Sequence, residues 1–190
     1  MNMRRYLFII LLMISAACSA QNNHMKFKGI PMDGTLQSFT SKLKAQGYTS
    51  LLTLNGVATL KGEFAVYKNC TIKAIADQSG MICKVTVSIP KMDKWSELES
   101  CYKDFKSMLT DKYGRPTQCV EEFQRPQTDD DFTKLHALKT DGCKYYSIFT
   151  CDNGEIQLEM TYKNFNCHVV LSYFDNANQA KLKKQIMDDL

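Results

Sequence analysis

The side chains in this sequence that could do chemistry are its cysteines, three scattered histidines, a run of aspartates and the aromatics of the C-terminal half. Cys167 and His168 are neighbours, a thiol beside an imidazole, which is the pairing of a nucleophile with its base. Successive side chains of a strand point to opposite faces, so this pair cannot act jointly without a bulge. Asp129, Asp130 and Asp131 set three carboxylates in a row. They lack the alternating ligands and the glycine of a calcium loop, and read as a solvated loop. There is no CxxC, no HExxH, no glycine-rich phosphate loop and no nucleophile elbow. The sequence therefore assigns no catalytic residue, no metal ligand and no cofactor. A hydrolase built on two carboxylates that meet in space is the minor alternative.

The aromatics carry a sharper expectation. Tyr145, Ser147 and Phe149 alternate along one predicted strand and share a face. If a turn at Asn153-Gly154 pairs Phe149 with Gln157, then Gln157 and Glu159 join them. On the side of the sheet away from the helices, these five side chains make a binding surface, because exposed aromatics among polar groups bury large area at low entropic cost. The competing reading packs the aromatics under the polar stretch Arg125 to Gly142 or under a terminal helix.

Positioning such a face takes a sheet and helices to back it. The plainest helix runs from Trp95 towards Pro116. Leu98, Cys101, Tyr102, Phe105, Met108, Leu109 and Tyr113 recur at spacings of three and four. Ser96 and Glu99 have the spacing of a capping box, and Gly114 and Pro116 mark the end. A first helix is expected on Leu36, Phe39 and Leu43, capped by Thr35 or Asp33 and closed by Gly47. Met25 to Ile30 reads as a short edge strand. Leu52 to Leu54 and Val57 to Leu60 flank Asn55-Gly56, the strongest two-residue hairpin signal. Gly62 to Asn69 reads as a loop, and Cys70 to Ala76 and Met81 to Ile89 as a second hairpin about Asp77 to Gly80. That turn would set Cys70 opposite Val87 and Cys83 opposite Ala74, too far apart for a disulfide. Thr117 to Phe123 is a further strand. After a polar insertion whose middle turns helically, Lys144 to Cys151, Glu155 to Tyr162 and Cys167 to Phe174 form a meander, and Asn176 to Leu190 a terminal helix.

Helix and four strands, then helix and four strands, is the order of an internal repeat. The expected fold is α+β: two tandem α-β4 units, residues 21–90 and 91–175, with antiparallel sheets joined into one curved sheet and the helices on one face. Residues 1–20 have the basic start, apolar run and small residues of a signal peptide. Cleavage after Ala20 releases a periplasmic or secreted protein. Alternatively Cys18 is lipidated and anchors it to a membrane without a spanning segment. Of the 24 Lys and Arg, Arg4 and Arg5 leave with the leader, so 22 stand against 20 acids. That balance, with no basic cluster among aromatics, excludes nucleic acid. Cys70, Cys83, Cys101, Cys119, Cys143, Cys151 and Cys167 remain, an odd number for a disulfide framework.

FKGIPMDG (Phe27 to Gly34), YKNCTI (Tyr67 to Ile72) and LTDKYGRP (Leu109 to Pro116) resemble a family of exported proteins from anaerobic gut bacteria that has no established activity to carry over. The order of elements resembles β-lactamase-inhibitor proteins and PepSY-like periplasmic domains, and implies a concave sheet that grips a partner. The functional expectation is an exported binding module for a protein or cell-envelope ligand, inhibitor-like. A structural or assembly component of the envelope is the alternative.

Overall fold

Alternation of apolar and polar residues builds eight of the strands into one antiparallel sheet. The computed structural model describes residues 24–125, 129–180 and 187. The expected signal peptide, Cys18 and most of the expected terminal helix lie outside the described residues; 176–180 are helical. In chain order the elements are β1 (Lys26–Phe27), β2 (Ile30–Pro31), α1 (Leu36–Ala45), β3 (Thr49–Leu54), β4 (Val57–Phe64), β5 (Tyr67–Ala76), β6 (Ile82–Ser88) and α2 (Trp95–Tyr113). There follow β7 (Gln118–Phe123), α3 (Asp131–Lys139), β8 (Cys143–Cys151), β9 (Gly154–Lys163) and β10 (Asn166–Asp175). The sheet order is β3-β4-β5-β6-β10-β9-β8-β7, so the first four strands meet the last four along β6 and β10. The architecture is α+β.

Met25 to Ile30 does not join this sheet. It folds with Pro31 into the separate hairpin β1–β2, whose turn residues Lys28 and Gly29 both have positive φ. In α1 the hydroxyl of Thr35 accepts from the Ser38 N–H, and Phe39 and Leu43 are buried. The Asn55-Gly56 turn joins β3 to β4 with both residues at positive φ, as a tight hairpin requires. Gly62 to Asn69 is no loop. Strand β4 runs on to Phe64, pairing Gly62 with Cys70, and β5 begins at Tyr67. Glycine serves there because a Cβ on Gly62 would lie 2.3 Å from the Tyr48 ring.

The β5–β6 register also differs from the turn-based expectation. Ile72 faces Val87 and Ala74 faces Val85, with an irregularity between Ile75 and Ala76. Relative to the expected pairing this is a shift of two residues, which preserves the faces, so Cys70, Ile72, Val85 and Val87 are all buried. In α2, Leu98, Cys101, Tyr102, Phe105 and Leu109 are buried, while Met108 of the expected stripe is exposed. The capping box is absent, since Lys94 occupies the N-cap without a side-chain bond. Asp131 caps from a distance: its carboxylate accepts from the backbone N–H of Ser96 at 2.9 Å and from the Ser96 hydroxyl at 3.2 Å. The polar insertion is therefore an element of the fold. Its helix α3, with Asp130 as N-cap, buries Leu135, Ala137 and Leu138.

Candidate functional site

Between β8 and β9 the expected register is wrong by one residue. Cys151 pairs with Gly154 across Asp152 and Asn153, which sets Phe149 opposite Ile156 and Ser147 opposite Leu158. Side chains alternate every residue, so a slip of one moves a whole set to the other face. Tyr145, Ser147 and Phe149 thus lie under the helices. Phe149 is 1% exposed and Ser147 0%. Tyr145 packs edge-on against Trp95 and Tyr102 of α2, with ring centroids 5.1 and 6.0 Å away, and against Phe123. Ser147 and Phe149 are core residues and Tyr145 is half-buried against the core, so the expectation that they stand on the face away from the helices is corrected. Gln157 and Glu159 remain on the bare face, but their β8 neighbours there are Ile148 and Tyr146. The apolar pattern held the signal that was missed. Setting Ile156, Leu158 and Met160 beside Tyr145 and Phe149 puts both apolar sets on one side.

The face bare of helices among the described residues can be followed strand by strand. Leu52 faces Thr59, Thr59 faces Lys73, Lys73 faces Thr86, and Thr86 faces Ser172. Ser172 faces Gln157, Gln157 faces Ile148, and Ile148 faces Gln118. One side chain from each of the eight strands stands in this row; Ser172 at its centre is buried between its neighbours, and the others are half-buried or exposed. Beside it the Gln157 amide donates to Glu159 Oε2 at 3.4 Å, and the Lys84 ammonium sits 4.5 Å over the Phe174 ring. Half-burial raises the Glu159 carboxyl above the usual carboxylate range, with Lys84 and Lys163 pulling the other way.

Other chemistry is sparse. Cys167 is buried and its neighbour His168 is not; the imidazole Nδ1 donates to the Ile89 carbonyl at 2.8 Å. The seven described cysteines are unpaired, with Cys119 exposed, Cys151 half-buried and the others buried. Burial pushes the Cys101 and Cys143 thiols up to about 11. Asp129 and Asp130 hold local partners, Lys134 and Thr133. Among the described residues no three His, Cys, Asp or Glu side chains converge as a metal ion requires. Nor is any described helix long and apolar enough to cross a membrane. No protein-family model, no curated protein and no solved structure matches the chain.

Proposed function

We propose that this protein is an exported binding module that grips a protein or cell-envelope ligand with the bare face of its sheet, as an inhibitor does. The observation that supports the reading is the lateral row from Leu52 to Gln118. Adjacent strands lie about 4.8 Å apart, so eight of them spread the row over roughly 34 Å. With the rows on either side of it, such a face approaches the roughly 800 Å² that each partner contributes to a stable complex. A broad shallow surface suits a macromolecule, whereas small substrates sit in concave pockets.

The same reading covers origin and address. The strand order β3-β4-β5-β6 followed by its mirror β10-β9-β8-β7 is what a doubled α-β4 unit would produce, the natural twist of strands curving the joined sheet. Export rests on the leader, with cleavage after Ala20 or lipidation of Cys18. Membership of the exported family that the sequence resembles, and an inhibitor-like or PepSY-like fold, belong to this proposal.

The test is affinity capture from envelope and culture-fluid extracts, comparing wild type with Thr86→Arg/Gln157→Arg, whose new side chains project from the bare face. Circular dichroism checks that both fold alike. A partner held by wild type and lost from the folded double variant supports the reading. A partner held equally by both removes the sheet face as the site.

A further inference from the structure

Apart from the row of sheet residues, a cavity in the protein has a volume of about 760 Å³. It opens between the β1–β2 hairpin, the last turn of α2 and the β8–β9 turn. Two sets of groups converge on it. The first is cationic: Lys26, Lys28 and Lys112 line it, none of them in an ion pair among the described residues, with the Lys28 ammonium 5.5 Å over the Tyr48 ring and that of Lys112 5.1 Å over the Tyr113 ring. Asp152 is the one carboxylate in the lining, and the His24 imidazole there is already held by Asp175. The second set is aromatic. Phe64, Tyr113 and Tyr173 supply rings.

Tyr173 is the more telling of these. The residue is 8% exposed and stacks edge-on against Phe27 at 5.2 Å, yet its hydroxyl has no hydrogen-bond partner among the described residues. That hydroxyl is not among the buried unsatisfied atoms; it reaches the cavity, where an acceptor on a ligand can meet it. Burial also holds this phenol protonated, so it presents a donor. A donor at the wall of a cavity lined by three lysines, none in an ion pair among the described residues, suits an acceptor bearing negative charge.

We infer that this cavity binds a small organic anion bearing a ring, its acid group held by Lys26, Lys28 and Lys112 and its ring by Phe64, Tyr113 and Tyr173. The volume lies within the range of about 300–1,000 Å³ typical of small-molecule sites. Charge-assisted bonds from three lysines supply the specificity for an anion, and the aromatic floor supplies the burial. The site is separate from the sheet-face reading and stands without it.

The test titrates the purified protein with 8-anilinonaphthalene-1-sulfonate and with its uncharged counterpart N-phenyl-1-naphthylamine, followed by fluorescence and calorimetry. The sulfonate is expected to bind at one site, at least about tenfold more tightly than the neutral compound. The surface variant Lys28→Glu/Lys112→Glu should weaken the sulfonate by about tenfold or more and the neutral probe by much less. Tyr173→Phe should weaken the sulfonate while leaving the neutral probe unchanged. The Thr86→Arg/Gln157→Arg variant should bind both as wild type does, which keeps this site's fate distinct from that of the bare face. Equal affinity for the two probes overturns the inference. So does indifference to charge reversal, or the absence of saturable sulfonate binding.

Discussion

The hydroxyl of Tyr102, in the middle of α2, lies 2.7 Å from the hydroxyl of Ser147 on β8, both beneath the sheet's apolar side. Ser147 in turn donates to the Cys119 thiol at 3.5 Å, and that thiol donates to Glu121, whose carboxylate is also paired with Lys106. A chain of polar groups thus runs from the core to the β7 edge. Removing one member leaves its buried neighbour unsatisfied, whereas removing two together does not. Tyr102→Phe and Ser147→Ala should each cost about 1–2 kcal/mol, and the double variant should cost less than their sum by about 1 kcal/mol. Urea denaturation of the four proteins measures this, and strict additivity would count against the coupling.

Gly62 is a packing requirement in the middle of a strand. The Tyr48 ring lies where its side chain would be, and that ring is fixed at its far end by donation from the Tyr48 hydroxyl to the Glu63 carbonyl at 2.7 Å. Gly62→Ala must push a tethered ring out of the core, and should cost about 3 kcal/mol. Gly62→Ala/Tyr48→Ala should be less unstable than the two separate losses predict, because the smaller residue vacates the space. Thermal unfolding of the set decides it.

The same residue shows what the sequence could and could not convey. The periodicities of α1, α2 and the meander were legible because each is local, and so was the Asn55-Gly56 turn, whose backbone demands are met by its own two residues. Gly62 read as a loop because the reason for it, Tyr48, sits fourteen residues away on the entry to β3. Asp131 is similar: it caps α2 from another helix, so the local Ser96/Glu99 signal pointed to a box that the fold does not use. Three of the five expected binding residues were placed on the wrong face through register. Asn153-Gly154 looked like a turn centre, but Gly154 belongs to β9, where a Cβ would come within 2.2 Å of the Phe174 carbonyl oxygen. One residue of slip carried Tyr145, Ser147 and Phe149 from the surface to the core.

Asp175 ties the two ends of the described chain together. Its carboxylate is fully buried and accepts from the Met25 N–H at 2.7 Å, from the Asn178 N–H at 2.8 Å and from the His24 ring at 3.1 Å. Asp175→Asn substitutes an amide whose NH₂ faces donors, and should destabilise by about 2–4 kcal/mol. His24→Ala removes only a partly exposed partner and should cost about 1 kcal/mol or less. Denaturant midpoints for the two variants, with circular dichroism of the native state, provide the comparison; equal losses would mean that the buried N–H bonds carry no weight.

Thiol chemistry offers a readout of the packing. Thiolate is the reactive form, and a thiol pushed up to about 11 is only about one part in a thousand ionised at pH 8. Cys101 and Cys143, buried and so shifted, should resist Ellman's reagent until the protein unfolds, while exposed Cys119 should react first. Mass spectrometry after timed alkylation identifies the order. Early labelling of Cys101 would show that α2 does not stay seated on the sheet.

Glu159 makes a prediction about pH. Burial raises its carboxyl in the folded protein relative to the unfolded chain, Lys84 and Lys163 offsetting part of that. A raised pKa means that the folded state binds a proton more tightly than the unfolded one does. The associated stability is fully present below the unfolded value of about 4.3 and is lost as pH rises through the folded value. At neutral pH the charged carboxylate is therefore a burden, held beside Gln157 with no ion pair among the described residues. Glu159→Gln removes the charge and keeps the shape. Its denaturation midpoint should exceed that of wild type at pH 7, and the difference should vanish as pH falls below about 4. If the variant is no more stable at pH 7, the carboxylate is solvated well enough to bear its charge, and the bare face is more open at Glu159 than its half-burial implies.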